Sequence, residues 1–398
     1  MARRNGGFVG QDGLDAPDPP TGITPTAGLG SVSVAFTAPS DVGTSAITGF
    51  VAQASNNDTD YSAGSNTGTS SPIVISNISG ATTVKVWAIN AYGISAPSNA
   101  SASFNTLGRA LFMGSSVGSG GVTDTDYINI DSTGNAADFG NLSAGASGVS
   151  AISSSTRALG FSAGAKVNTI EYFTVASTGN STDFGDMAAA AASQGSVSNS
   201  TRAIAAGGEE SSVTNRIQYV TFATTGNTTD FGDLIGSGNV NYTPAPANST
   251  TRGVFAGGIG SDVIQYITMA STGNGTDFGN LSAADYLLTG GGNSTRGIFS
   301  GRYNSGSMSN EIQYITIANT GNATDFGDLT QARVACGGTG NSTRNVVAGG
   351  QIANGSFVDT IDYITIATTG NATDFGNCVA TKGNSHDFAC NSAHGGLG

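Results

Sequence analysis

Short runs of alternating apolar and polar residues recur along most of the chain, and Gly, Pro, Asn or Asp bounds each run. Alternation with a period of two places the apolar side chains on one face of a β-strand, and the bounding residues favour turns. Between positions 16 and 106 the runs are SVSVAFTAP, ITGFVAQAS, SPIVISNI and TTVKVWAINAYG. This pattern predicts a β-sandwich over 16–106, preceded by an extended, Gly-rich arm over 1–15.

From position 107 onwards the pattern is periodic. The segment IQYITIANTGNATDFGDLT begins at Ile312 and has five close copies. Its tyrosine recurs at intervals of 45 to 49 residues, at Tyr127, Tyr172, Tyr219, Tyr266, Tyr314 and Tyr363. A repeat of this length made of strand-like segments is typical of a propeller or an array of small sheets.

The sequence of each repeat unit predicts four β-strands. In the last unit they are RVACGG, RNVVAGG, IDYITIA and TDFG. The TGN between the third and fourth strands is a hairpin signal, because Gly and Asn tolerate positive φ. Four short antiparallel strands cannot bury both faces of their sheet alone, and a ring of sheets supplies the neighbours while leaving no long open edge.

The two ends of the repeat region indicate how such a ring closes. The first unit begins at the strand of Arg109 without a recognisable strand before it, whereas ACNSAHGG follows the sixth unit. This segment is similar to ACGGTGNSTR of the last unit, with His394 at the position of the repeated arginine. The sequence therefore predicts an all-β fold whose residues 107–398 form a six-bladed propeller closed by the C-terminal strand.

Connection lengths predict two different faces for this ring. The interval from the tyrosine to the Asp of DFG is 11 residues in every unit, whereas the interval from the repeated arginine to the tyrosine varies from 14 to 19. Length thus varies between the second and third strands, on the face where the connections between blades also open. Scaffold strands with variable loops on one face are typical of recognition.

The variable face carries aromatic residues beside amides and carboxylates. An aromatic ring can cover the apolar face of a sugar while the polar groups bind its hydroxyls. Six residues are therefore candidates for glycan binding: Tyr242, Tyr303, Asn304, Asn354, Phe357 and Asp359. Ordinary solvated loops are the alternative interpretation, and Tyr286 is interpreted as a core residue of an inner strand.

Two charged residues recur in every unit and are interpreted as structural. They are Arg109, Arg157, Arg202, Arg252, Arg296 and Arg344, and the DFG aspartates Asp138, Asp183, Asp230, Asp277, Asp325 and Asp374. Each Asp either pairs with the Arg of a neighbouring strand or satisfies turn amides. The triplets lack the partner motifs of a kinase, and one Asp per unit offers too few oxygens for calcium.

No catalytic residue, metal site or cofactor is predicted. Paired carboxylates for glycoside hydrolysis stay open, because Glu209, Asp262 and Asp359 could face one another across a ring. The 398 residues carry a net charge of −13 with only 14 Lys and Arg, so nucleic acid and anionic membranes are not expected partners. The three cysteines have no disulfide or zinc spacing, and we expect no secretion or membrane signal.

Two parts of the chain resemble known families. Residues from Pro17 to about Ala102 resemble a fibronectin type III domain through PDPPTGI, VAFTAPSD, ITGFVAQA and VKVWAINAYGISAPSNA, with departures at Phe36 and Thr82, where a core Trp and a corner Tyr are common. The units resemble kelch repeats through the polar segment before Arg, the AGG after the second strand and the Tyr. Phe of DFG replaces the usual Trp, so the resemblance is to a kelch-like propeller.

The combination resembles structural proteins of tailed bacteriophages, particularly cyanophages, and MARRNGGFVGQDGLDAPD resembles their N-termini. The resemblance implies a virion component assembled in the host cytoplasm. Its arm, with Arg3, Arg4 and Phe8, and its sandwich would attach to other virion proteins, and its propeller would face host surface glycans. A homo-oligomer would be compatible with this role.

Two classes of function follow. The first is a non-enzymatic tail-fibre, receptor-binding or capsid-surface decoration protein. The alternative is a propeller glycosidase or lyase, a depolymerase that acts on host surface polysaccharide. A host-encoded adhesin is a third class, which the expected lack of an export signal disfavours.

Overall fold

The structure is a computed structural model that describes residues 15–28, 31–55, 58–76, 78, 83–101, 108–117, 120–146, 148–162, 166–175, 177–236, 241–284, 286–304, 306–383 and 389–391. The chain divides into two compact units, Met1–Leu107 and Gly108–Gly398. Within the described residues every regular element is a β-strand except one 3-10 turn, Ala353–Gly355. The predicted all-β class is therefore confirmed.

Two antiparallel sheets form the described part of the N-terminal unit. Their strands are β1 (Thr21–Gly28), β2 (Ser31–Thr37), β3 (Ile47–Ser55), β4 (Gly64–Gly68), β5 (Ile73–Ser76), β6 (Thr83–Asn90) and β7 (Gly93–Ile94). One sheet has the order β1-β2-β5 and the other β4-β3-β6-β7. Alternate residues of both sheets share one apolar core, in which the ring centroids of Phe36 and Phe50 lie 4.8 Å apart.

The described part of the C-terminal unit contains six four-stranded antiparallel sheets. The first sheet contains β8 (Arg109–Val117), β9 (Gly120–Asn129), β10 (Ala137–Ala146) and the C-terminal β31 (Ala389–Asn391). The second contains β11 (Ser150–Ser153), β12 (Arg157–Phe161), β13 (Thr169–Thr174) and β14 (Thr182–Asp186), and the third β15 (Gly195–Ser198), β16 (Arg202–Ala206), β17 (Arg216–Thr221) and β18 (Thr229–Asp233).

The remaining three sheets follow the same chain order. The fourth contains β19 (Ala245–Asn248), β20 (Arg252–Gly258), β21 (Ser261–Thr268) and β22 (Thr276–Asn280). The fifth contains β23 (Thr289–Gly292), β24 (Arg296–Asn304), β25 (Ser307–Thr316) and β26 (Thr324–Asp328). The sixth contains β27 (Gly337–Gly340), β28 (Arg344–Ala348), β29 (Val358–Thr365) and β30 (Thr373–Lys382).

The contacts between these six sheets follow a cyclic order. The inner strands, which are β31, β11, β15, β19, β23 and β27, each contact the inner strands of the two neighbouring sheets, and β31 contacts both β11 and β27. The outer strand is at the opposite edge of each sheet; the outer strands are β10, β14, β18, β22, β26 and β30. β31 pairs antiparallel with β8, with Cys390 opposite Leu111. The predicted pairing of the C-terminal segment with the strand of Arg109 is therefore confirmed.

The inner strands begin later in the chain than the sequence predicts. The sequence places the first strand of the sixth sheet at RVACGG, whereas β27 begins at Gly337. Ala335 has a φ of 54°, a left-handed conformation that interrupts an extended strand. Ser193, Thr243 and Leu287 adopt the same conformation two residues before their own inner strands, so this prediction is wrong for a reason that recurs between sheets.

Each DFG glycine lies against the backbone of the neighbouring sheet. All six have φ between 147° and 150°. A Cβ on Gly279 would stand 2.3 Å from the carbonyl oxygen of Gly321, and a Cβ on Gly376 would stand 2.5 Å from that of Gly134 in the first sheet. Glycine is therefore required both by its backbone conformation and by the close approach of the next sheet.

The TGN segments lie in the connection between the third and fourth strands of each sheet and also contact the neighbouring sheet. In the fifth sheet the turn covers 317–319, before TGN begins. The Gly321 N–H donates to the Phe278 carbonyl of the fourth sheet, and the Oδ1 of Asn322 accepts the Asn280 N–H. Both bonds recur at all six interfaces, including that between the sixth and first sheets. The predicted hairpin between the third and fourth strands is confirmed, and TGN has a second role in contacting the neighbouring sheet.

The repeated arginines also join each sheet to the next. Each guanidinium lies 4.6 to 4.9 Å from the centroid of the repeated tyrosine ring in its own sheet. Its Nη1 donates to a carbonyl after the third strand of the next sheet, for example from Arg202 to Met269 over 2.9 Å. These contacts take the place of an Arg–Asp pair, because the arginines lie in second strands and the aspartates are exposed on outer strands.

A second connection uses the polar residue immediately before each repeated tyrosine. These residues are buried: Asp126, Glu171, Gln218, Gln265, Gln313 and Asp362. Each side chain accepts the backbone N–H three residues after the DFG glycine of the preceding sheet. Gln313 Oε1, for example, lies 2.8 Å from the nitrogen of Ser282. The repetition of the sequence is thus explained by contacts between sheets.

Candidate functional site

The axis of the six inner strands offers no room for a sugar. Its cavity has a volume of about 40 Å³ and is lined by Ser196, Pro246, Gly291, Thr339 and other inner-strand residues. A space of this size holds a water molecule or two. A Cβ on Gly290 would stand 1.9 Å from the carbonyl oxygen of Pro246, so adjacent inner strands are in direct contact.

A larger groove lies where the fifth and sixth sheets meet. It has a volume of about 720 Å³ and is lined by the β24–β25 hairpin, the connections into the fifth and sixth sheets, and the loop after β28. This volume falls in the range of about 300 to 1,000 Å³ that is typical of ligand sites. All of these segments belong to the face on which connection lengths vary.

Tyr286 and Tyr303 form the aromatic wall of this groove. Their ring centroids are 5.2 Å apart and their planes make an angle of 75°. Their backbones form an isolated antiparallel bridge in which each N–H donates to the other carbonyl. An edge-to-face pair of this kind leaves ring faces open for a ligand.

The β24–β25 hairpin holds Tyr303 near its tip. Tyr303 is opposite Met308 in the register, and Gly306 at the turn has a φ of 90°. An ion pair of 2.8 Å between Arg302 and Glu311 joins the two strands. Because successive side chains of a strand point to opposite faces, Arg302 and Tyr303 point in opposite directions.

Backbone hydrogen bonds fix the other wall. Val334 and Gln351 exchange two of them, with lengths of 3.0 and 2.8 Å, and the Ala335 N–H donates to the Leu287 carbonyl over 3.0 Å. The 3-10 turn 353–355 follows Gln351 and completes the wall. Burial raises the pKa of the Tyr286 hydroxyl and the nearby Tyr303 adds to this shift, so the hydroxyl is a neutral donor at ordinary pH.

No charged side chain lines the groove within the described part of the chain. Two arginines adjoin lining residues in the sequence, and both are neutralised. Arg302 pairs with Glu311, while Arg333 is fully buried and pairs with Asp362 over 3.0 Å. The groove therefore offers aromatic faces, aliphatic groups and neutral polar groups.

Three of the predicted glycan-binding residues lie at this groove. Tyr303 lines it, Asn304 pairs with Ser307 at the hairpin tip, and Asn354 lies in the 3-10 turn between two lining residues. Tyr286 also lines the groove and is only half-buried. Its interpretation as a core residue of an inner strand is therefore wrong, because it lies in the connection that precedes β23.

The other three predicted residues lie apart from the groove lining. Phe357 packs against Gly383, where a Cβ would stand 2.2 Å from the ring, Asp359 lies in β29, and Tyr242 lies before β19. Glu209, one of the carboxylates considered for hydrolysis, pairs with Lys166 over 2.9 Å. Among the described residues no three His, Cys, Asp or Glu side chains form a group suited to a metal ion.

Several residues singled out in the sequence lie outside the described residues, namely Arg3, Arg4, Phe8, Thr82 and His394. The described part of the chain contains no helix with the length and apolar character needed to cross a membrane. Cys336, Cys378 and Cys390 are buried free thiols, and burial raises the pKa of Cys378 and Cys390 to about 12. Buried thiols with this pKa are unreactive.

Sequence reasoning missed Tyr286, Met308 and Gln351 as groove residues. A partial signal was present: the Arg-to-Tyr intervals of the fifth and sixth units, 18 and 19 residues, are among the three longest, although the first unit also has 18. The pairing of Tyr286 with Tyr303 had no such signal, because it joins a connection between sheets to a hairpin of the following sheet.

No family model matches the chain, and no curated protein matches it. A solved structure described as "Structure of YjhT" is similar to it, with a TM-score of 0.52 and 12% sequence identity. The similarity covers 66% of this chain and 96% of that one. At this identity the similarity concerns the fold alone.

Proposed function

We propose that this protein is a non-enzymatic structural component of a bacteriophage virion that displays a binding domain to host surface glycans. In this proposal the N-terminal unit is a fibronectin type III-like module that, with the arm, attaches to other virion proteins. The C-terminal unit is a six-bladed, kelch-like β-propeller on a tail fibre or on the capsid surface. Cyclic contacts between the six sheets and the β31–β8 pairing support the propeller.

One observation carries the binding function. The repeated arginines, glycines, asparagines and buried acceptors make contacts within or between sheets. The groove lined by Tyr286 and Tyr303, by contrast, is built from connections that do not repeat. A scaffold of repeated contacts with one individual, aromatic groove is the arrangement expected of a recognition domain.

The geometry favours binding over polysaccharide cleavage. Glycoside hydrolysis uses two carboxyl groups that flank the scissile bond. The lining of the groove contains no carboxylate within the described residues, and the axial cavity of about 40 Å³ cannot admit a sugar. Cleavage by a glycosidase or lyase is therefore the alternative that the binding experiment must distinguish from attachment.

The experiment uses the purified full chain and surface polysaccharide from a susceptible host. We expect saturable binding without new reducing ends. Release of reducing ends would establish the depolymerase instead, and absence of binding would contradict the attachment role. Gold labelling of intact particles with an antibody against the chain tests the virion location separately, and particles without label would contradict it.

A further inference from the structure

The groove between the fifth and sixth sheets has a chemical character that limits its ligand. Its aromatic wall is the Tyr286–Tyr303 pair, and Met308 lies opposite Tyr303 in the hairpin. The apolar faces of pyranose rings pack on aromatic rings of this kind, since both surfaces release water on contact. A volume of about 720 Å³ exceeds the needs of one small polar ion and suits a short stretch of glycan.

The charges around the groove exclude acidic sugars. A sialic or uronic acid needs a cation or several convergent donors to replace the water around its carboxylate. Arg302 lies beside Tyr303 but pairs with Glu311, and Arg333 is fully buried against Asp362. The chain as a whole is acidic, with a net charge of −13, so long-range attraction does not favour an anionic ligand either.

Neutral polar groups complete the site. The backbone of Gln351 is engaged with Val334, so its side-chain amide is the group left to bind hydroxyls. The Nε2 of this amide lies beside the 353–355 turn, 3.6 Å from where a Cβ on Gly355 would stand. Ser307 is exposed at the other side of the groove.

We propose that this groove binds a short segment of neutral glycan, with one pyranose ring packed on the Tyr286–Tyr303 pair and its hydroxyls bonded to Gln351 and Ser307. This inference rests on the proposed attachment function and specifies its site and its ligand class. Sequence reasoning spread the candidates over the whole variable face, whereas the structure concentrates them at one junction.

The test measures binding of defined oligosaccharides to the full chain by calorimetry. The neutral probes are oligomers of glucose, mannose, galactose and N-acetylglucosamine, and the acidic probe is oligogalacturonate. We expect at least one neutral probe to bind and oligogalacturonate not to bind. Tyr303→Ala should lower the affinity for the neutral probe by about tenfold, because the stacked ring is lost. Tyr303→Phe keeps the ring and should remain within about twofold of the parent.

Two further variants guard against a general loss of folding. Tyr92→Ala makes the same replacement at a tyrosine of the N-terminal unit that is 48% exposed, and it should bind like the parent. Ala353→Arg changes an exposed lining residue, so it should fill the groove and abolish binding without changing the unfolding temperature. Equal binding by the parent and Tyr303→Ala, preference for oligogalacturonate, or failure of every neutral probe would overturn the inference.

The same variants separate this inference from the proposed function. If host polysaccharide binds equally to the parent, Tyr303→Ala and Ala353→Arg, the attachment role stands and the groove assignment fails. If the parent does not bind host polysaccharide at all, the proposed function fails. If the polysaccharide binds and both variants lose it, both conclusions are supported.

Discussion

Five interfaces join sheets that follow one another along the chain, whereas the sixth joins the last sheet to the first. This closing interface uses the same repeated contacts as the others: Gly134 N–H to the Phe375 carbonyl, Asn377 N–H to Asn135, and Arg344 to the Ile130 carbonyl. It differs at the buried acceptor. Gln218, Gln265 and Gln313 fill this position at three middle interfaces, and a carboxylate fills it at the other three. Asp126, at closure, lies 3.5 Å from Lys382 of the preceding sheet, whereas Asp362 pairs with Arg333 in the connection that leads into its own sheet.

Comparison of the buried acceptors shows which contact every interface needs and which contact is added between the sixth and first sheets. Every interface needs an oxygen that accepts the same backbone N–H, and a neutral glutamine is sufficient at three of the five interfaces between consecutive sheets. At closure the acceptor is an anion whose cation comes from the last sheet. A buried pair strongly penalises any arrangement that separates its charges, so it favours the register in which the sixth sheet meets the first.

The largest effect is expected from Gly376→Ala. The added Cβ would stand 2.5 Å from the carbonyl oxygen of Gly134 at a φ of 148°, so we expect a loss of about 4 kcal/mol in unfolding free energy from overlap and backbone strain. Urea denaturation measures it. Gly273→Ala is the matched control, because its Cβ would meet nothing within 4 Å. Equal stability of both variants would mean that the closing interface is not formed.

Lys382→Met should cost about 3 kcal/mol, because it leaves the buried Asp126 carboxylate without its cation. The sharper variant is the double replacement Lys382→Met with Asp126→Gln, which converts the closing interface to the neutral form found at the middle ones. We expect the double variant to regain most of the lost stability. If it is no more stable than Lys382→Met alone, the two side chains do not act as a pair. Thermal and urea unfolding of the three proteins provide the comparison.

Arg344→Met and Arg252→Met compare the repeated arginine at closure and at a middle interface. Arg344 donates to Ile130, Arg252 donates to both Ile317 and Ala318, and each guanidinium lies over the tyrosine of its own sheet. Loss of the charge-assisted hydrogen bonds and the cation–π contact should cost about 2 kcal/mol at Arg344 and at least as much at Arg252. A loss confined to Arg252 in denaturation experiments would show that the sixth sheet does not engage the first.

The smallest effect concerns pH. Burial raises the pKa of Asp131, opposed by the 2.7 Å hydrogen bond from Asn341 across the closing interface. A carboxyl group whose pKa is raised on folding contributes stability that is present below the unfolded value, about 3.8, and is lost as pH rises through the folded value. Asp131→Asn should remove this dependence. Unfolding midpoints between pH 3.5 and 6 test it, and parallel profiles would contradict it.

Much of the fold was predictable because the residues that repeat along the sequence are those that make contacts within and between sheets. The 11-residue interval from Tyr to Asp fixes the third and fourth strands, and the similarity of ACNSAHGG to an earlier first strand located the pairing of β31 with β8. The contacts that TGN makes with the neighbouring sheet were not predictable. Its Gly and Asn are typical of turns, yet their bonds go to another sheet, and single-sequence patterns contain no information on which sheets are neighbours.

For the candidate site, the sequence predicted the face of the C-terminal unit on which it lies but not its position on that face. Interval lengths identified the variable connections and Tyr303 among them, but its partner Tyr286 belongs to a different segment and was assigned to the core. The left-handed conformation of Leu287, which shapes that segment, has no signature in a leucine side chain. Sites assembled from two connections depend on backbone geometry that periodicity does not encode.

The most direct test of the account is the reactivity of Cys390, which lies in β31, the strand that pairs with β8. The thiol is 2% exposed, and burial raises its pKa to about 12. Alkylation of the unmodified chain at pH 8, followed by mass spectrometry of each cysteine, compares it with the buried Cys336 and with denatured protein. The account predicts that Cys390 reacts at least about a hundredfold more slowly in the native state than in the denatured state. Rapid modification of Cys390 while Cys336 stays protected would show that β31 is not part of the first sheet, and the closed ring would be contradicted.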